Sequence, residues 1–112
     1  MNTLVRLALP VLLASVLQPL SVQAGDAAAG EQKAATCIAC HGVDGKASQP
    51  GYPNLAGQYE SYLAHSLRSY RSGARENAIM YGFASQLSDA DIADLAAWFA
   101  SLDGTLQTAP RP

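Results

Sequence analysis

The sequence predicts an all-α domain of three to five helices, and three observations carry that expectation. No stretch alternates apolar with polar residues or gathers β-branched ones in the manner of a strand. Two segments, 58–71 and 89–102, place their large apolar residues at helical spacing beside recognisable start or stop signals. Ahead of them runs GVDGKASQPGYPNLAG, residues 42–57, whose four glycines and two prolines suit an irregular loop and no regular element. With 112 residues, 49% of them hydrophobic and 14% charged, the chain has room for one domain.

Some of that apolar content belongs to the first 24 residues. Arg6 precedes an apolar run from Leu7 to Leu17, and small and polar residues follow, ending Val22-Gln23-Ala24. This is the layout of a secretory signal peptide cleaved after Ala24. As a membrane anchor the run is too short, because a span needs roughly 20 apolar residues and Pro10, Gln18 and Pro19 interrupt this one. Cleavage would leave a domain at 25–112. It would also remove Arg6, one of seven basic residues set against nine acidic ones, and so move the formal net charge from −2 to −3. A mildly acidic domain carries no nucleic-acid footprint. A domain this small usually needs a disulfide, a metal or a cofactor to complete its core.

In the first helix, Asp26 is a good N-cap and Ala27 to Thr36 is rich in helix formers, so a helix should run from about residue 27 into the cysteine segment. Gly30 inside it costs about 1 kcal/mol relative to alanine, which is tolerated near a helix start or explained by close approach of another element. The helix delivers Cys37-Ile38-Ala39-Cys40-His41. Two thiols three residues apart with a histidine directly after the second are the pattern of a c-type haem attachment: the sulfurs form thioethers with the haem vinyl groups and the imidazole reaches the iron. Exported cysteines also pair as disulfides, and His41 is what favours haem. A thioredoxin-like CxxC needs a βαβ setting that is absent here. Zinc needs four ligands, and adjacent Cys40 and His41 are awkwardly placed to share one tetrahedral ion.

The second helix, 58–71, carries Tyr59, Tyr62, Leu63, Leu67 and Tyr70 at helical spacing and meets a stop at Gly73. His65 lies roughly 200° around it from Leu63 and so points to solvent. Arg68, Arg71 and Arg75 give the helix end a basic tint and read as solvated charges. The last helix opens at Ser88 with Asp91 three residues on, a capping-box arrangement with aspartate in place of glutamate. Ile92, Leu95, Phe99 and Leu102 form its apolar stripe, with Trp98 at the edge, and Asp103-Gly104 ends it. Residues 105–112, with Pro110 and Pro112, read as a tail.

Once both thiols are committed and Met1 has left with the signal peptide, a second iron ligand must be Met80 or His65. Met80 sits in the apolar stretch Ala78-Ile79-Met80-Tyr81-Gly82-Phe83, where methionine serves core packing as readily as ligation.

Four features together, the CxxCH turn, Pro53-Asn54-Leu55, the Met80 segment and Gln86-Leu87-Ser88-Asp89, make residues 26–103 resemble the class I cytochromes c. The likeness is to short bacterial monohaem members and to single halves of dihaem ones. It implies a helical fold around one covalently attached haem c. In that family the proline of Pro-Asn-Leu offers its carbonyl to the Nδ1 proton of the iron-bound histidine and the leucine packs on the haem, which assigns those roles to Pro53 and Leu55. The resemblance makes His41 and Met80 the axial ligands, with Met80 delivered by a loop, and puts His65 where the family more often has glutamine. It also implies that the first and last helices cross where Gly30 meets Trp98. A Gly-x-Arg like Gly73-Ala74-Arg75 follows the second helix in such proteins, without a definite role for Arg75.

The expected function is that of a soluble periplasmic electron carrier, working by one-electron outer-sphere transfer with redox partner proteins and not as an enzyme, since six-coordinate iron leaves no position for substrate. No nucleic acid and no stable membrane insertion are expected. The rival functions are a haem subunit of a larger oxidoreductase, or an open-site haem enzyme or gas-binding protein. A single CxxCH and no internal repeat predict one haem.

Overall fold

The computed structural model describes residues 24–104, and all regular structure among them is helical. The expected signal peptide, apart from Ala24, and the tail 105–112 lie outside the described residues. Among the described residues no helix is long and apolar enough to cross a membrane.

Helix α1 spans Ala27–Lys33 and starts as its sequence predicts, with the Asp26 side chain accepting the N–H groups of Ala28 and Ala29. It does not run unbroken into the cysteines. A 3₁₀ turn at Ala34–Thr36 tightens the chain, and a one-turn helix α2, Ile38–His41, carries the rest of CxxCH. The tighter winding lets Cys37 N–H bond the Ala34 carbonyl at 2.8 Å.

Helix α3, Glu60–Ser72, ends on Gly73 in the left-handed conformation, φ 80°, as a glycine stop requires. Only Leu63 and Ala64 of α3 are buried, whereas the tyrosines expected on its inner face stay partly exposed. The Met80 segment departs from expectation. It is a helix, α4, Ala78–Ala84, and not a loop. Asn77, in extended conformation, caps it, a signal the apolar character of the segment obscured. Helix α5, Asp89–Ser101, has the full capping box at 3.1 Å and 3.0 Å: Ser88 Oγ accepts Asp91 N–H, and Asp91 Oδ2 accepts Ser88 N–H.

Helix α5 is the hub, packed against α1 on one side and α3 on another. Ile92 and Leu95 are its fully buried large side chains, each stabilising by about 1.5–3 kcal/mol. Trp98 and Phe99 meet edge to face at 4.5 Å. The α1–α5 crossing depends on glycine. A Cβ on Gly30 would lie 2.0 Å from the Asp94 carbonyl oxygen and 2.8 Å from Trp98 Cβ, and one on Gly25 would lie 1.9 Å from the Ala93 carbonyl oxygen. Close approach, not tolerance, therefore explains Gly30, while the contact at Gly25 had no sequence signal.

Gly30→Ala is accordingly expected to destabilise the protein by about 1–3 kcal/mol in denaturant unfolding, the overpacking cost exceeding the helix-propensity gain of alanine. A more stable variant would mean that α1 is not seated on α5 in this way.

Charges lock the same elements from outside. Lys33 Nζ bonds Asp94 at 2.6 Å and Asp91 at 2.9 Å, and Asp94 also accepts the Asp26 N–H at 2.8 Å. The Ser88 N–H, and after it Lys33, hold the Asp91 carboxyl down to about 2. Arg71, read above as a solvated charge, instead pairs with Asp89 at 2.6 Å and donates to the Leu87 carbonyl at 3.1 Å. That double contact ties the end of α3 to the start of α5 and brackets α4 between them.

Candidate functional site

The residues singled out in the sequence converge on one cavity of about 340 Å³. Cys37, Cys40 and His41 contribute from the turn, Pro53 and Leu55 from the loop, and Met80 from α4. His65 is exposed on α3, 3.5 Å from Ser69 Oγ, and is not part of the lining.

The turn presents its three groups because α2 closes on itself: the Cys37 carbonyl accepts N–H groups from both Cys40 and His41, and Gly42 ends it at φ 86°. A Cβ on Gly42 would stand 2.1 Å from the Lys46 carbonyl oxygen, so the chain can double back only at a glycine here. Both cysteines are half-buried free thiols, and burial pushes the Cys37 thiol up. His41 is buried, 6% exposed. Its Nδ1 lies 2.9 Å from the Pro53 carbonyl oxygen. A carbonyl only accepts, so Nδ1 donates its proton here, and Nε2 is the nitrogen left for a metal. The Tyr52 ring stands at 73° to the imidazole, with 6.5 Å between centroids.

The loop that brings Pro53 there has no regular structure but is densely pinned. Leu55 and Ala56 both donate to the Gly45 carbonyl, at 2.8 and 3.0 Å, and the Asn54 side chain accepts the Ala47 N–H at 2.8 Å. Gly57 N–H reaches the Phe99 carbonyl of α5 at 3.1 Å. Pro53 is thereby held between anchors on both sides. These pins escaped the sequence reading, since loop composition predicts irregularity and not partners.

The remaining lining is mostly apolar, with Leu55, Leu63, Leu67, Leu95, Phe83 and Phe99 among its large side chains. Arg75 also lines it, its guanidinium 4.7 Å from the Tyr70 ring centroid, a placement that its reading as a solvated charge did not foresee. The donor set fits a haem: two thiols for covalent attachment, an imidazole with its metal-binding nitrogen free, a thioether, and apolar walls for a flat macrocycle. Among the described residues there is no cluster of three or more His, Cys, Asp or Glu side chains that would hold a bare metal ion.

Comparison with known proteins agrees with this chemistry. The cytochrome c family model matches residues 27–103. The chain is 54% identical over 81 residues to cytochrome c-554(548) of Halomonas halodenitrificans, a match covering 70% of this chain and 98% of that one. To cytochrome c4 of Pseudomonas aeruginosa it is 48% identical over 96 residues, covering 86% of this chain but 48% of the relative. The crystal structure of reduced recombinant cytochrome c4 from Pseudomonas stutzeri superposes with a TM-score of 0.70 at 43% identity, over 78% of this chain and 50% of that one. The chain thus spans about half the length of the cytochrome c4 relatives it matches. With the CxxCH turn, the all-helical fold and the haem-compatible cleft, these matches show that the chain belongs to the cytochrome c family, as a class I electron-transfer domain that carries one covalently bound haem c.

Proposed function

We propose that this domain is an exported electron carrier that exchanges single electrons with redox partner proteins in the periplasm and does no chemistry on a substrate. Bound haem supplies the one-electron couple. The observation that carries the reading is the convergence of His41, with its Nδ1 held 2.9 Å from the Pro53 carbonyl, and of Met80 on the same cleft.

Each residue then has a task. Cys37 and Cys40 attach the cofactor through thioethers, which prevents its loss. His41 would supply the iron with a nitrogen ligand. Pro53 fixes the tautomer and makes His41 a more basic ligand, as the outer partners of metal-bound histidines do. Met80 would supply the iron with a soft sulfur ligand, which favours the reduced state and, together with His41, would leave a substrate no place to bind. Leu55 packs against the cofactor and helps exclude water, and Arg75 places a permanent cation in the lining, suited to the haem carboxylates. Export fits the signal-peptide layout of residues 1–24.

The test is a spectrum and a redox titration of the purified protein. A low-spin, six-coordinate haem with a thioether charge-transfer band is the expected result, whereas a high-spin form would instead indicate an open-site enzyme or gas-binding protein. His65→Gln checks the ligand choice. Because His65 is exposed and outside the cleft, the variant is expected to keep the spectrum and the potential of the parent. Loss of the low-spin form in that variant would move the axial role to His65.

A further inference from the structure

Helix α4, which carries Met80, is poorly made for standing by itself. It spans seven residues with Gly82 in its interior, far short of the roughly 12–15 that an isolated helix needs in water. Packing adds little, since Ala84 is its one buried residue and it rests chiefly on α3. Its C-terminal end is secured by Ser85 N–H to the Tyr81 carbonyl at 2.9 Å and by Gln86 Nε2 to the Gly82 carbonyl at 3.0 Å. At its N-terminal end the first turn holds no acidic residue, and what closes it is Asn77. The Asn77 backbone is extended, φ −163°, and its carbonyl accepts the Tyr81 N–H at 2.8 Å. Its side-chain Oδ1 accepts one further N–H at 2.9 Å, and that N–H belongs to Met80. Asn77 also lines the cleft.

We propose that Asn77 is a positioning residue for Met80, holding the methionine backbone in the rotation that keeps its thioether within the cleft. The inference rests on the reading of Met80 as an axial ligand. Methionine has three rotatable side-chain bonds and reshapes itself to its surroundings, so the constraint on its sulfur must come from the backbone. Without the Asn77 carboxamide the Met80 N–H turns to water, the first turn of α4 frays, and the sulfur spends less time in reach of the iron. Cys37, Cys40 and His41 lie on separate elements and keep the cofactor attached throughout.

The experiment is an imidazole titration of the purified haem-bearing protein, following the thioether charge-transfer band, in wild type, Met80→Ala, Asn77→Ala, Asn77→Ser, Asn77→Gln and Ser88→Ala. Imidazole competes for the position that Met80 fills. Asn77→Ala is expected to bind it about tenfold more tightly, the scale of one lost N-cap bond. Asn77→Ser keeps a short acceptor and should return close to wild type. Asn77→Gln keeps the amide but carries it one methylene too far, and should behave as Asn77→Ala, which also decides the matter if the alanine variant does not accumulate. Ser88→Ala removes the corresponding cap from α5 and should lower the melting temperature with imidazole affinity unchanged. Wild-type imidazole affinity in Asn77→Gln or Asn77→Ala overturns the proposal, as does an equal gain in Ser88→Ala. If Met80→Ala itself neither loses the band nor gains imidazole affinity, the ligand reading beneath the proposal has failed, and the two failures are thereby told apart.

Discussion

Met80→Ala is expected to give a protein that keeps its haem, loses its thioether band, becomes high-spin and drops in reduction potential. Attachment survives because Cys37, Cys40 and His41 are organised by the 3₁₀ turn and α2, and none of their backbone hydrogen bonds involves α4. The sequence holds one other methionine, Met1, inside the expected signal peptide, so no second thioether can substitute after export. A soft sulfur stabilises ferrous over ferric iron, and axial ligation spans about 0.8 V across haem proteins. A fall on the order of 100 mV is a modest part of that range. Each ~59 mV of it is a tenfold change in the one-electron equilibrium, enough to abolish transfer to an acceptor matched to the parent. Redox titration and the visible spectrum decide the outcome. A retained band with an unchanged potential would remove Met80 from the site.

Cys37→Ala or Cys40→Ala, each leaving at most one thioether, prevents double attachment, and the haem-free chain is expected to be largely unfolded. Ile92 and Leu95 are the large side chains that the described residues bury completely among themselves. Ile79 and Phe83 are exposed and Met80 is half-buried on the cleft wall, so the rest of their burial comes with the cofactor. A domain of this size seldom offsets the entropy of ordering its chain with its own core alone, and a bound cofactor is one of the usual reinforcements. Circular dichroism of the haem-free chain checks the expectation. A cooperative, native-like melt without haem would contradict it.

Much of this architecture is legible in one dimension because its signals act over a few residues. Asp26 caps α1, Ser88 and Asp91 box α5, and Gly73 stops α3 because each bonds or bends the chain within three or four positions of itself. The CxxCH turn is equally local, which is why it pointed to haem before any fold was known. Helix α4 escaped because seven residues with a glycine inside and aromatics on two sides are too short for a period to emerge, and its cap, Asn77, looks like any loop asparagine.

What the sequence by itself determined is therefore an all-helical chain with a haem-attachment turn, a proline loop and a methionine segment. The tertiary structure decided which distant groups meet. It set Gly25 and Gly30 against the backbone of α5, joined Lys33 to Asp91 and Asp94, paired Arg71 with Asp89, and put Pro53, Met80 and Arg75 around the cleft beside His41. Those partners lie 12 to 68 residues apart, beyond the reach of any signal that acts over three or four positions. At the α1–α5 crossing the closeness of the two helices is set by the missing Cβ of Gly30, a property of one residue whose consequence exists only once α5 lies against it.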